Sequence, residues 1–196
     1  MGWTLIGSTQ NASNVAQIDF TIDGTYDEIM FVVTNYKPVT DEQELEWQVI
    51  TANAAHSGYD RGIQSANYQL SQRRDDAWTV METYNDQPWW QHSSDAATQA
   101  LCGGEASTSA NTGGNPAQMT GNGELIIYRP QETAHWKHFS FRSSNSFTNN
   151  ALLAQSYSYN IFGGGYVKEA EALTGIRFNT RSGNISVGTF SMYGLS

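Results

Sequence analysis

Cations are scarce in this 196-residue sequence. Ten Lys and Arg stand against nineteen Asp and Glu, giving a net charge of −9, and no cationic run exceeds the pair Arg73-Arg74. A phosphate backbone is held by clustered Lys and Arg, so nucleic acid is excluded as a partner. An anionic membrane surface is disfavoured on the same ground. Long apolar runs are also missing, and none approaches the roughly 20 residues that cross a bilayer as a helix. The stretch Met1-Gly2-Trp3-Thr4-Leu5-Ile6-Gly7-Ser8 has neither a basic region nor a long apolar core, so no secretory signal is read there. Cysteine is reduced to Cys102, which rules out an internal disulfide. Within Ala100-Leu101-Cys102-Gly103-Gly104 it reads as a buried apolar thiol at the end of a short helical turn. No neighbouring base would make it a nucleophile.

What is abundant points to strands. Eighteen Gly, ten Tyr, eight Phe and six Trp sit among many Ser, Thr, Asn and Gln, while charged residues make up only 15%. Such a mixture suits sheets and turns better than helices. Strands are predicted at Trp3–Ser8 (with a polar linker over Thr9–Val15), Gln17–Ile22 and Tyr26–Val33, the last apolar on both faces and therefore central. Glu44–Thr51 alternates strictly, with Leu45, Trp47 and Val49 inward and Glu44, Glu46 and Gln48 outward. Further strands are read at Ile63–Arg73, Trp78–Tyr84, Gly123–Arg129, Trp136–Arg142 and Ala154–Val167, where Gly163-Gly164-Gly165 reads as a bulge or turn. Leu173–Gly194 reads as a closing β-hairpin about Ser182-Gly183-Asn184. Between them, 85–122 is one long irregular insertion, relieved only by a short helix over Ser94–Leu101. About ten strands with no alternating long helices predict an all-β antiparallel sandwich, a single domain over 1–196.

The search for chemistry finds little. His135 and His138 are three apart at a strand entrance, where they face opposite sides and make a poor zinc pair. Asp23, Asp27, Asp41 and Glu42 could ring a calcium ion, but Asp beside Gly and Thr reads more simply as turn chemistry. The sequence has no nucleophile elbow and no phosphate loop, and no carboxylates whose pairing is legible. No cofactor, metal or catalytic residue is therefore expected. Binding is the better prospect. Trp89 and Trp90, with Tyr84 nearby, lie in the irregular region and could stack on a sugar ring or fill a neighbour's pocket. Trp47, Trp78 and Trp136 fall in strand patterns and read as core.

Several segments in order carry a resemblance: Asp23-Gly24-Thr25-Tyr26-Asp27-Glu28-Ile29-Met30-Phe31, then Asn35-Tyr36-Lys37-Pro38-Val39-Thr40-Asp41. Gly123-Glu124-Leu125 with Tyr128-Arg129-Pro130 and Lys137-His138-Phe139 come next. Ile176-Arg177-Phe178, Ser182-Gly183-Asn184-Ile185 and Gly188-Thr189-Phe190-Ser191-Met192-Tyr193-Gly194 complete the set. Together they resemble a family of virion proteins of tailed bacteriophages, especially from aquatic hosts. The resemblance implies a jelly-roll-like sandwich on the outside of the particle, assembled in the host bacterial cytoplasm, with no catalytic residues. The expected function is non-enzymatic: an external module on capsid or tail, in contact with other virion subunits and forming a homo-oligomer, expected to be a trimer. The alternative is a carbohydrate- or receptor-binding module of the phage adhesion apparatus.

Overall fold

The computed structural model describes residues 2–40, 43–52, 58–73, 79–83, 97–103, 120–148 and 156–196. These residues form twelve strands, two more than the sequence pattern suggests: β1 (Thr4–Val15), β2 (Gln17–Thr21), β3 (Glu28–Pro38), β4 (Glu44–Thr51), β5 (Ile63–Arg73), β6 (Thr79–Thr83), β7 (Gln99–Gly103), β8 (Gly121–Tyr128), β9 (Lys137–Thr148), β10 (Ser156–Val167), β11 (Leu173–Thr180) and β12 (Ile185–Leu195). They make two antiparallel sheets. The larger runs β1-β12-β3-β8-β9-β10-β5-β6 and the smaller β2-β11-β4-β7.

Eight of these strands wind as a jelly roll. The quartet β1-β12-β3-β8 lies in one sheet and β2-β11-β4-β7 in the other, and the chain crosses between sheets from β1 to β2, β2 to β3, β3 to β4, β7 to β8 and β11 to β12. The remaining four strands come from two separate insertions. β5 and β6 fall between β4 and β7, and β9 and β10 between β8 and β11. The insertions meet along eleven pairs, from Tyr157↔Arg73 to Val167↔Ile63, and extend the larger sheet at one edge.

The core is sealed by rings from both layers. Phe20 and Phe178 come from the smaller sheet, Phe31 and Phe190 from the larger, and their centroids lie 5.6 to 6.3 Å apart. Farther along, buried Trp47 meets Phe139 edge-on at 5.0 Å and 85°. Tilted and edge-on contacts at these spacings add to the stabilisation from burial alone. Cys102 is fully buried among these side chains, as the sequence suggests, and burial pushes its thiol pKa well up.

Several expectations are corrected. Trp3–Ser8 and the linker after it are one continuous strand; Gly7 at φ +68° accommodates the bulge between Ile6 and Gln10 opposite β12. β3 is central but not covered on both faces, for its burial alternates through Ile29, Phe31 and Val33. No helix ends at Leu101. Residues Gln99–Gly103 are the edge strand β7, which breaks up the supposed irregular insertion, and its pairing with β4 overrides the local helical signal. Gly163-Gly164-Gly165 makes neither bulge nor turn, because β10 keeps perfect register with both neighbours through it. Trp136 is half exposed, outside the core. Glu44, expected at the surface, is buried.

The C-terminal segment is the largest correction. β11 and β12 do not pair as a hairpin: β11 lies between β2 and β4 in the smaller sheet, β12 between β1 and β3 in the larger. Arg181-Ser182-Gly183-Asn184 is therefore a corner between layers. Gly183 sits there at φ +81°, and the Thr180 hydroxyl donates to its carbonyl at 2.6 Å.

Candidate binding face on the larger sheet

Strand alternation makes two faces, and burial decides which one turns to solvent. On β5 the result inverts the usual order. Asn67 is buried and Ser65 donates a hydrogen bond inward to fully buried Gln99, while Tyr68 and Leu70 are 55% and 41% exposed. Buried polar residues beside exposed apolar ones are the informative departure from the ordinary pattern. Phe162, directly opposite Tyr68 on β10, is exposed as well. Tyr68, Leu70 and Phe162 thus share an apolar patch on the outer face of the extension, away from the smaller sheet. Contiguous exposed apolar side chains mark contact surfaces.

The register carries this patch into a polar band. One row across the outer face runs Val32, Glu124, Arg142, Phe162, Tyr68, each opposite the next. The adjacent row runs Asn122, Ser144, Asn160, Leu70, with Thr34 beyond it. On the other side Ser140, Gly164 and Ala66 form a row of small residues. Past that row lies a second aromatic site, where Trp136 stacks on Tyr166 at 5.0 Å and 19°. The tyrosine hydroxyl donates to Gln64 Oε1. Val32, Thr34, Asn122, Glu124, Arg142, Ser144, Asn160 and Phe162 line a shallow groove of about 350 Å³. That lies at the lower end of the roughly 300–1,000 Å³ typical of small-ligand clefts.

Two contacts orient the polar groups. Arg142 donates to Glu124 Oε2 at 2.8 Å, which neutralises both charges, lays the guanidinium across the sheet and raises its pKa further. A bulge sets Thr34 and Asn35 between the pairs Val33↔Gly123 and Tyr36↔Gly121, and Asn35 takes φ +55°. The Asn35 backbone N–H then donates to Asn122 Oδ1 at 3.0 Å. That bond fixes the Asn122 side chain where it lines the groove.

Other polar clusters hold the fold together. Buried Lys137 donates to the carbonyls of His135, Glu169 and Ala170 at 2.9, 3.3 and 3.0 Å, tying the β8–β9 turn to the β10–β11 connection. Arg61, also buried, pairs with Asp60 and with Glu169. On the smaller sheet, Arg177 makes a two-point contact with Asp19, both bonds at 2.8 Å, while its guanidinium lies 4.1 Å from the Tyr59 ring. Glu44 is buried on different terms. Neither of its carboxyl oxygens has a hydrogen-bond partner among the described residues, and burial raises its pKa.

Trp89, Trp90 and Tyr84, the residues singled out from sequence for binding, lie outside the described residues, as do Asp41 and Glu42. His135 and His138 are both exposed, and among the described residues no His, Cys, Asp and Glu are grouped to hold a metal ion. Tyr68, Phe162 and their polar neighbours escaped the sequence reading, since alternation alone does not say which parity faces out. The signal available was the inverted run Ser65-Ala66-Asn67-Tyr68-Gln69-Leu70, with one parity polar and the other apolar. Compared with known protein families, with curated proteins and with solved structures, the chain finds no match in any of them.

Proposed function

We propose that the protein is a non-enzymatic structural module on the exterior of a tailed-bacteriophage particle, seated on capsid or tail and assembled as a homo-oligomer. Sequence resemblance supplies the virion part of this reading. A jelly roll hosts many functions, so the fold supports it only by agreeing with the architecture that the resemblance implies. The observation that carries a contact role is the exposed patch of Tyr68, Leu70 and Phe162 on a sheet wider than its partner layer. An exposed apolar patch with polar groups around it marks a surface that contacts another molecule, protein or ligand.

The chain should co-sediment with purified particles, and an antibody raised against it should label them without disruption. A chain absent from purified particles, or reached by antibody only after they are broken open, contradicts the reading.

A further inference from the structure

We infer that the groove on the outer face of the larger sheet, between Asn122 and Phe162, binds a neutral glycan. The inference does not depend on where the protein resides, because it rests on the chemistry of one face. A sugar ring presents an apolar C–H face and a rim of hydroxyls that both donate and accept. It is therefore recognised by an aromatic surface beside planar polar groups.

The groove and its rim supply both. Phe162 lines the groove and is 41% exposed, and Tyr68, 55% exposed, stands opposite it on β5 just beyond the lining, so that the two rings adjoin. Asn122, Ser144 and Asn160 lie side by side in the next row on the same face, two residues along each strand from the row that holds the rings. Between them they offer amide and hydroxyl donors and acceptors toward the same space. The bulge at Asn35 fixes one of these groups by occupying Asn122 Oδ1.

Charge narrows the class of ligand. Arg142 is the cation lining the groove, and its bond to Glu124 cancels it locally. A phosphate or other polyanion would meet no net positive charge here, on a chain whose total is −9. A hydroxyl-rich neutral ligand pays no such penalty. It can still use the free edges of the Arg142–Glu124 pair, whose arginine side chain is 66% exposed.

The test is a glycan array with the full chain, using neutral oligosaccharides of glucose, galactose, N-acetylglucosamine and mannose as probes. The hits are then titrated against wild type, Phe162→Ala, Tyr68→Ala and Asn160→Ala. The expected result is saturable binding to at least one neutral glycan, insensitive to salt. It should weaken roughly tenfold or more, about 1.4 kcal/mol, in each aromatic variant. Both rings are exposed, so thermal unfolding of the variants should match wild type and separate lost binding from lost structure. Asn160→Ala should weaken binding without changing the fold. No neutral glycan bound, or binding unchanged in Phe162→Ala and Tyr68→Ala, overturns the proposal. So does light scattering that shows the wild type self-associating through this face and both variants failing to, for the occupant would then be a second copy. A chain that binds glycan yet is absent from particles would defeat the virion reading and leave this one standing.

Discussion

Lys137 shows how one side chain can lock an end of this molecule. Its ammonium is fully buried, and burial lowers its pKa against the opposing pull of Glu132 and Glu169. Three carbonyls replace its water shell. Lys137→Met keeps the stem but strands those acceptors, and a buried group left without its partner costs on the order of 3 kcal/mol or more. Urea denaturation should show that loss; a variant within experimental error of wild type contradicts this role. Glu44 works in the opposite sense. Burial is the largest effect holding its carboxyl above the ordinary value; its own backbone N–H and Arg181 oppose this, and Glu46 adds to it. The unfolded chain ionises this group first, at about pH 4.3. Stability is therefore lost as pH rises from the unfolded value toward the folded one, and is fully recovered below the unfolded value, where both states hold the proton. Glu44→Gln should be more stable than wild type at neutral pH, with the gain shrinking as pH falls through the carboxylate range. Paired denaturation curves at the two ends of that range decide the matter, and equal or lower stability at neutral pH would contradict the account.

Among the elements, β10 and the β11–β12 corner make the sharpest predictions. The larger sheet can be continuous only if backbones pass closely at Gly163-Gly164-Gly165. A Cβ at Gly165 would overlap the Gln64 carbonyl oxygen, one at Gly163 would overlap the Phe141 ring, and one at Gly164 would lie 2.9 Å from the Phe139 carbonyl oxygen. Gly165→Ala meets unyielding backbone and should cost about 3 kcal/mol, the upper end of ordinary overpacking; an unchanged melting temperature would contradict that. At Gly183, positive φ combines with a Cβ position 2.6 Å from Thr40 Oγ1. Gly183→Ala should lose about 1 kcal/mol or more in the same assay. These elements also mark what the sequence discloses. β4 is legible in its bounds and in its inward Leu45, Trp47 and Val49, which alternate against a packed layer, though not in Glu44, which is buried against that alternation. The triple glycine reads as a break because sequence shows the missing side chains but not the strands on either side that require their absence. The two strands that carry Phe178 and Phe190 are legible as strands, whereas their assignment to different sheets depends on long-range pairing that no local pattern encodes. The candidate face is hidden for a related reason: β5 alternates cleanly, but with its apolar parity outward.

For the whole molecule, the winding accounts for the face. The eight jelly-roll strands close a core between two four-stranded layers, and the two insertions can satisfy their backbone groups by adding to the free edge at β8. Adding there leaves a sheet of eight strands opposite a sheet of four, and the outer surface of β8, β9, β10 and β5 becomes one broad, nearly neutral platform. Edge strand β1 is interrupted by the bulge at Gly7, which discourages open-ended pairing along that side. Contact through a face, with one edge blunted, suits a module set in ordered copies on a larger assembly. The most direct measurement is a cryo-electron microscopy reconstruction of the intact tailed particle at a resolution that separates strands. This asymmetric sandwich should appear at symmetry-related positions on the outer surface, many on the capsid or a few at the tail. A reconstruction that assigns every external density to other chains, with this sandwich nowhere on the particle, would contradict it.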